Sequence, residues 1–145
     1  MIKPLIHRYI SIAGSLKDLP PLIFRLILAY GFFEPAMNKV KNFDSIVEWF
    51  DKSLGLPFPE LNAYMATGTE VVGIILLLLG LATRFISVPL MVVMVVAITT
   101  VHLEHGYACS KNGFEVPFYY FFMLFSLLVT GAGRLSVDAI LAKKN

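Results

Sequence analysis

Residues 63–101 read AYMATGTEVVGIILLLLGLATRFISVPLMVVMVVAITTV. Two apolar runs, residues 63–82 and 85–101, are separated only by Thr83-Arg84. Roughly 20 residues at 1.5 Å rise match the hydrocarbon thickness of about 30 Å. Backbone polar groups in lipid must be satisfied within the segment, so such runs are helices rather than strands. A turn this short makes the two helices an antiparallel hairpin. Two further apolar runs, residues 20–37 and 117–131, flank the pair. The pattern predicts an all-α protein, a transmembrane four-helix bundle.

Composition points the same way. The chain has 145 residues, 57% hydrophobic and 15% charged, with a mean hydropathy of +0.75. A soluble domain is about half apolar and about a quarter charged. A soluble enzyme is thereby disfavoured, and a disordered chain has the reverse signature. A net charge of +2 offers no basic patch, so no nucleic-acid partner is expected. The single cysteine, Cys109, allows neither an internal disulfide nor a CxxC pair.

Basic residues orient the bundle. Lys3, Arg8, Lys17, Arg25, Arg84, Arg134, Lys143 and Lys144 fall on one side, and Lys39, Lys41, Lys52 and Lys111 on the other. Eight against four puts both termini in the cytoplasm. The N-terminus, interrupted by His7, Arg8 and Lys17, reads as an interfacial helix rather than a cleaved signal, with Leu5, Ile6, Tyr9, Ile10, Ala13 and Leu16 on one face. The first outer loop carries a short amphipathic helix, with Phe43, Ile46, Val47, Phe50 and Leu54 as its apolar stripe and Pro57 and Pro59 closing it. The chain thus divides into an interfacial segment at 1–19, a transmembrane domain at 20–142 and a basic tail at 143–145.

Ionisable residues inside spans are costly and are candidates for function. Glu70 lies about 12 Å deep by helical rise and has no basic residue on its own span. A carboxyl without a partner at such depth favours its neutral form and can relay protons or hydrogen-bond a quinone. The competing reading pairs Glu70 with Lys39, or makes it glue between helices, with Thr69 and Gly73 marking a packing face. Glu34, Asn38, Lys39 and Glu104 are expected to line a polar cavity open to the outer side, with Glu70 and His102 as the catalytic pair. His102, His105 and Cys109 are spaced three and four apart, a spacing that could hold a metal or haem from one helical face. Arg25, Arg84, Arg134 and Asp138 form a cytoplasmic structural cluster, with Asp138 ion-paired to Arg84 or Arg25; binding of an anionic headgroup is the alternative. Among the aromatics at the start of the last span, Tyr119 and Phe122 are candidates to stack on a quinone ring, against the simpler reading of an aromatic belt.

Several pieces together resemble the DoxX family of small four-helix bacterial membrane proteins. They are Arg25…Gly31…Lys39, Glu70-Val-Val-Gly73, Leu79-Gly-Leu-Ala-Thr-Arg84, His102 with Gly106, and Gly131-Ala-Gly-Arg134-Leu-Ser-Val-Asp138. The usual closing pattern is Gly-Pro-Gly-Arg-x-Ser-x-Asp, and Ala132 replaces the proline here. The resemblance runs over residues 20–142. It implies a multi-pass protein of the bacterial inner membrane, with a family name taken from a subunit of an archaeal terminal quinol oxidase. Relatives are linked to thiosulfate:quinone oxidoreduction, thiol stress, methylamine dehydrogenase maturation and metal-binding peptides. The expected role is an accessory subunit of a quinone- or thiol-linked redox system, with a quinone as cofactor and a redox or periplasmic protein as partner, besides the bilayer and a second copy of the chain. A non-catalytic assembly protein and a small transporter are the alternatives.

Overall fold

The computed structural model describes residues 2–143, with side chains described from residue 6 onward, Ile12 apart. Seven α-helices follow in order: α1 (Ile2–Ser15), α2 (Leu19–Lys41), α3 (Phe43–Lys52), α4 (Pro59–Leu79), α5 (Thr83–Ala97), α6 (Glu115–Thr130) and α7 (Val137–Ala142). There is no strand among the described residues. Leu28, Phe32, Ala36, Ile74, Leu77, Ile86, Leu90, Met94, Leu124 and Leu127 form one core, to which α2, α4, α5 and α6 all contribute. Helix α2 packs on α4 and α6, and α5 packs on α4 and α6.

The outside of this bundle is as apolar as its inside. Ile23, Ile27 and Phe33 on α2, Val72 and Ile75 on α4, Val88 and Val92 on α5, and Phe122 and Phe125 on α6 are all exposed. Glu70, Arg25, Thr67 and Ser87, by contrast, are buried. Polar groups buried inside a bundle with an apolar mantle suit lipid and not water. Three helical stretches, Leu19–Lys41, Pro59–Leu79 and Thr83–His105, are long and apolar enough to cross a membrane. The apolar helix Glu115–Thr130 has 16 residues and reaches about 24 Å at 1.5 Å per residue.

Prolines and turn residues set the boundaries. Pro20 and Pro59 sit in first turns, where a missing N–H costs no helical bond. The hairpin turn is not Thr83-Arg84 but Gly80-Leu81-Ala82. Gly80 adopts φ 65° and ends α4, the Leu81 N–H donates to the Leu76 carbonyl, and Ala82 at φ 49° opens α5. Gly80 is required twice over. A Cβ there would be strained by its φ and would stand 2.0 Å from Nη1 of the buried Arg25. Gly80→Ala is therefore expected to lower stability by about 2 kcal/mol. A thermal unfolding midpoint in detergent equal to that of the wild type would overturn this account of the turn.

The loop helix α3 forms as expected but ends at Lys52, ahead of the prolines. Its stripe turns inward, with Phe50 buried and α3 packed on α4. Ile6, Tyr9 and Ile10 of α1, and Leu16 just after it, are exposed; the Leu5 side chain lies outside the described residues, as do Lys144 and Asn145 of the basic tail.

Candidate functional site

Helix α2 buries Phe32 and Ala36 and carries Lys39 on the same face. Helix α4 buries Ala63, Thr67, Glu70, Gly73 and Ile74 at helical spacing. Because these faces pack together, the two charges meet. The Lys39 ammonium donates to both carboxylate oxygens of Glu70, each at 2.8 Å. Glu70 is 2% exposed. Lys39 lies in the last turn of α2, where a cation is favoured by the helix carbonyls. The partner absent from the second span is thus supplied by the first, and Glu70 is paired rather than isolated. Gly73, one turn further on, lets Leu90 of α5 approach: a Cβ would stand 2.9 Å from its methyl carbons.

Thr67 is a polar member of this site that the sequence reading does not single out. Its hydroxyl is buried and has no hydrogen-bond partner. The spacing of three from Glu70 places it on the same face of α4, and that spacing is the signal that could have found it.

The remaining expected cavity residues are not gathered around Glu70. Glu34, Asn38 and Glu104 are exposed. Glu34 lies two residues from both Phe32 and Ala36, and so falls on the outer side of α2. Two open clefts, of about 450 and 470 Å³, lie elsewhere and include none of Glu70, Lys39 or His102. His102 is half-buried, with Nδ1 2.8 Å from the Asn112 carbonyl oxygen.

The expected metal triad is likewise not assembled. A π-helical turn at Ile98–His102 and a 3-10 turn at Leu103–His105 follow α5, and Gly106 at φ 74° ends the helix. Cys109 lies on a separate turn, Cys109–Lys111, so the spacings of three and four do not define one face. His105 Nδ1 is 3.1 Å from the Val101 carbonyl oxygen. Among the described residues no group of three His, Cys, Asp or Glu could hold a metal ion. The three side chains therefore do not converge as one metal-binding group.

At the start of α6 the Tyr119 and Tyr107 hydroxyls are 2.7 Å apart, and Tyr119 donates to Glu115 at 3.3 Å. Phe118 and Phe122 stack edge-to-face with centroids 4.9 Å apart. Tyr119 and Phe122 are exposed and stand on the outer face of α6, apart from the buried pair. On α3, Lys52 donates to Glu48 at 2.5 Å; this bond, and then the lysine charge, holds the Glu48 carboxyl below the usual carboxylate range.

The cluster of Arg25, Arg84, Arg134 and Asp138 is a structural knot with partners other than those expected. Asp138 forms no ion pair with Arg84 or Arg25. Its oxygens accept instead from the N–H groups of Ala82 and Thr83, at 2.7 and 3.1 Å, and its own N–H donates to the Gly80 carbonyl at 3.0 Å. The first amides of α5 need acceptors, and a carboxylate satisfies two of them at once. Arg25, 1% exposed, donates to the carbonyls of Leu77 and Leu135 at 3.3 and 2.6 Å. Arg84 donates to the Val129 carbonyl at 3.2 Å, and the Arg134 N–H donates to Asp18 at 3.1 Å. The hairpin motif and the closing motif are therefore one unit.

A helical bundle with an apolar exterior and an interhelical ion pair inside it defines a small all-α membrane protein. The DoxX family model matches residues 21–103, more than half of the chain, and the chain belongs to the DoxX family. The closing motif lies beyond the matched stretch. An uncharacterised protein of Haemophilus influenzae is 34% identical over 128 residues, covering 84% of this chain and 83% of that one. A Bacillus subtilis protein named "Putative oxidoreductase CatD" is 29% identical over 128 residues, covering 87% of this chain and 90% of its own. No solved structure is significantly similar to the chain.

Proposed function

We propose that this protein is an accessory subunit of a redox system in the bacterial inner membrane, crossing it four times with both termini in the cytoplasm and serving quinone- or thiol-linked electron transfer. The observation that carries the reading is the Lys39–Glu70 pair, a proton donor and acceptor held in the apolar interior beside the unpartnered Thr67 hydroxyl. Charged groups at such depth are expensive and mark proton or ligand paths. The oxidoreductase name of the Bacillus subtilis relative agrees with it.

A quinone would carry electrons and protons together. The residues that suit its ring are Phe122 and Phe118, an exposed edge-to-face aromatic pair, with the Tyr119 hydroxyl as the hydrogen-bonding group nearby. Glu70, with Lys39, would hold the proton inside the bundle, and His102 would exchange it at the outer end of α5. Trp49, the exposed aromatic of α3, is the contact offered to a partner protein.

Glu70→Gln is the direct test. It keeps the shape and hydrogen-bonding reach of the side chain and removes the proton-accepting charge. Quinol-linked electron transfer in native membranes is expected to fall by about tenfold or more, with the protein still inserted at wild-type level. Unchanged electron transfer at that level would overturn the proton-handling role.

A further inference from the structure

Arg84, from the first turn of α5, and Arg134, from the closing segment, line one open cleft of about 470 Å³. Arg84 uses one Nη for the Val129 carbonyl, and its Nε passes 3.2 Å from where a Cβ on Gly131 would stand. The remaining guanidinium N–H groups have no acceptor in the structure. The Arg134 side chain is 76% exposed, and its ion-pair contact is a loose 3.9 Å to Asp18. Two carboxylates also line the cleft, and both are already engaged. Asp138 is held by the Ala82 and Thr83 amides, and Asp18 by the Arg134 amide. Phe85, 82% exposed, forms part of the wall. The cleft therefore combines two guanidinium groups that keep free N–H donors with an apolar rim, beside two carboxylates whose oxygens already accept from backbone amides.

We infer that this cleft binds a phosphate group, carried by an anionic phospholipid headgroup or present as free phosphate. Guanidinium forks match phosphate oxygens in pairs, and beyond the Val129 carbonyl and the loose Asp18 contact the two groups keep N–H donors to spare. In the proposed topology both arginines lie at the cytoplasmic surface, where anionic lipids concentrate. The site is separate from the Lys39–Glu70 pair and stands whatever that pair does.

The test uses the full chain purified in a neutral detergent and titrated with short-chain phosphatidylglycerol, with phosphatidylcholine as the zwitterionic comparison. Wild-type protein is expected to prefer phosphatidylglycerol. Removing both charges, with Arg84→Gln and Arg134→Gln together, is expected to weaken its binding by about tenfold or more. Ala142→Glu places a carboxylate at an exposed cleft position and leaves both arginines intact; it is expected to weaken binding similarly. Lys52→Gln, on α3, is expected to change nothing. Displacement of the lipid by millimolar inorganic phosphate would assign the site to the free ion; loss in the variants without such displacement would assign it to the lipid. Wild-type affinity in a folded double variant, or in Ala142→Glu should the double variant not fold, would overturn the inference.

Discussion

Lys39→Met is expected to destabilise the folded protein by about 3–5 kcal/mol, because it leaves a buried carboxylate without the ammonium paired with it. The ammonium satisfies both oxygens of Glu70 at 2.8 Å, and Glu70 is 2% exposed. Methionine keeps the length and the apolar stem of lysine, so the change isolates the charge. The double variant Lys39→Met, Glu70→Leu is expected to regain wild-type stability or exceed it, since a well-packed apolar pair escapes the desolvation cost that an ion pair bears. Unfolding in mixed micelles at increasing SDS fraction, followed by helix content, reads both. A single variant as stable as the wild type would show that the pair is not held in a dry interior. A double variant as unstable as the single would show that the loss comes from packing and not from charge.

Asp138→Ala is expected to cost about 3 kcal/mol, because it strips the acceptor from two amide groups at once and each unsatisfied buried amide costs about 1–3 kcal/mol. Thr83 is fully buried, so water does not replace the carboxylate at its amide. Ala82 is held at φ 49°, a conformation disfavoured for any residue with a Cβ, and the carboxylate contact helps to hold it there. Asp138→Asn keeps one acceptor oxygen and is expected to recover about half of the loss. The same unfolding experiment, with limited proteolysis at residues 80–83, is the measurement. A wild-type midpoint for Asp138→Ala would mean that the hairpin is held by α4 and α5 packing alone.

Much of the architecture is legible in residues 63–101. Two apolar runs with almost nothing between them dictate a helical hairpin, and their length dictates a lipid environment. The position of the turn is less legible. Thr83-Arg84 is the polar pair in the sequence, yet the helix breaks three residues earlier. Gly80 tolerates the left-handed conformation, and Thr83 and Arg84 are recruited into α5 once Asp138 caps it. The polar groups show the same division. A carboxylate deep in a span announces an internal site, because lipid offers it nothing. Which residue answers it depends on how α2 and α4 rotate against each other, and that rotation also carries Glu34 outward and Lys39 inward.

The sequence by itself determined the class of the protein, the number of apolar runs, the amphipathic loop helix and the presence of a costly charge at Glu70. Local periodicity and transfer free energy decide these, and neither needs long-range contacts. Only the tertiary structure decided that Glu70 is paired with Lys39, that His102, His105 and Cys109 do not share one helical face, and that Asp138 closes the hairpin by accepting from the Ala82 and Thr83 amides. Each of these joins residues 31 or more positions apart, or turns on a break in the helix that spacing alone does not reveal.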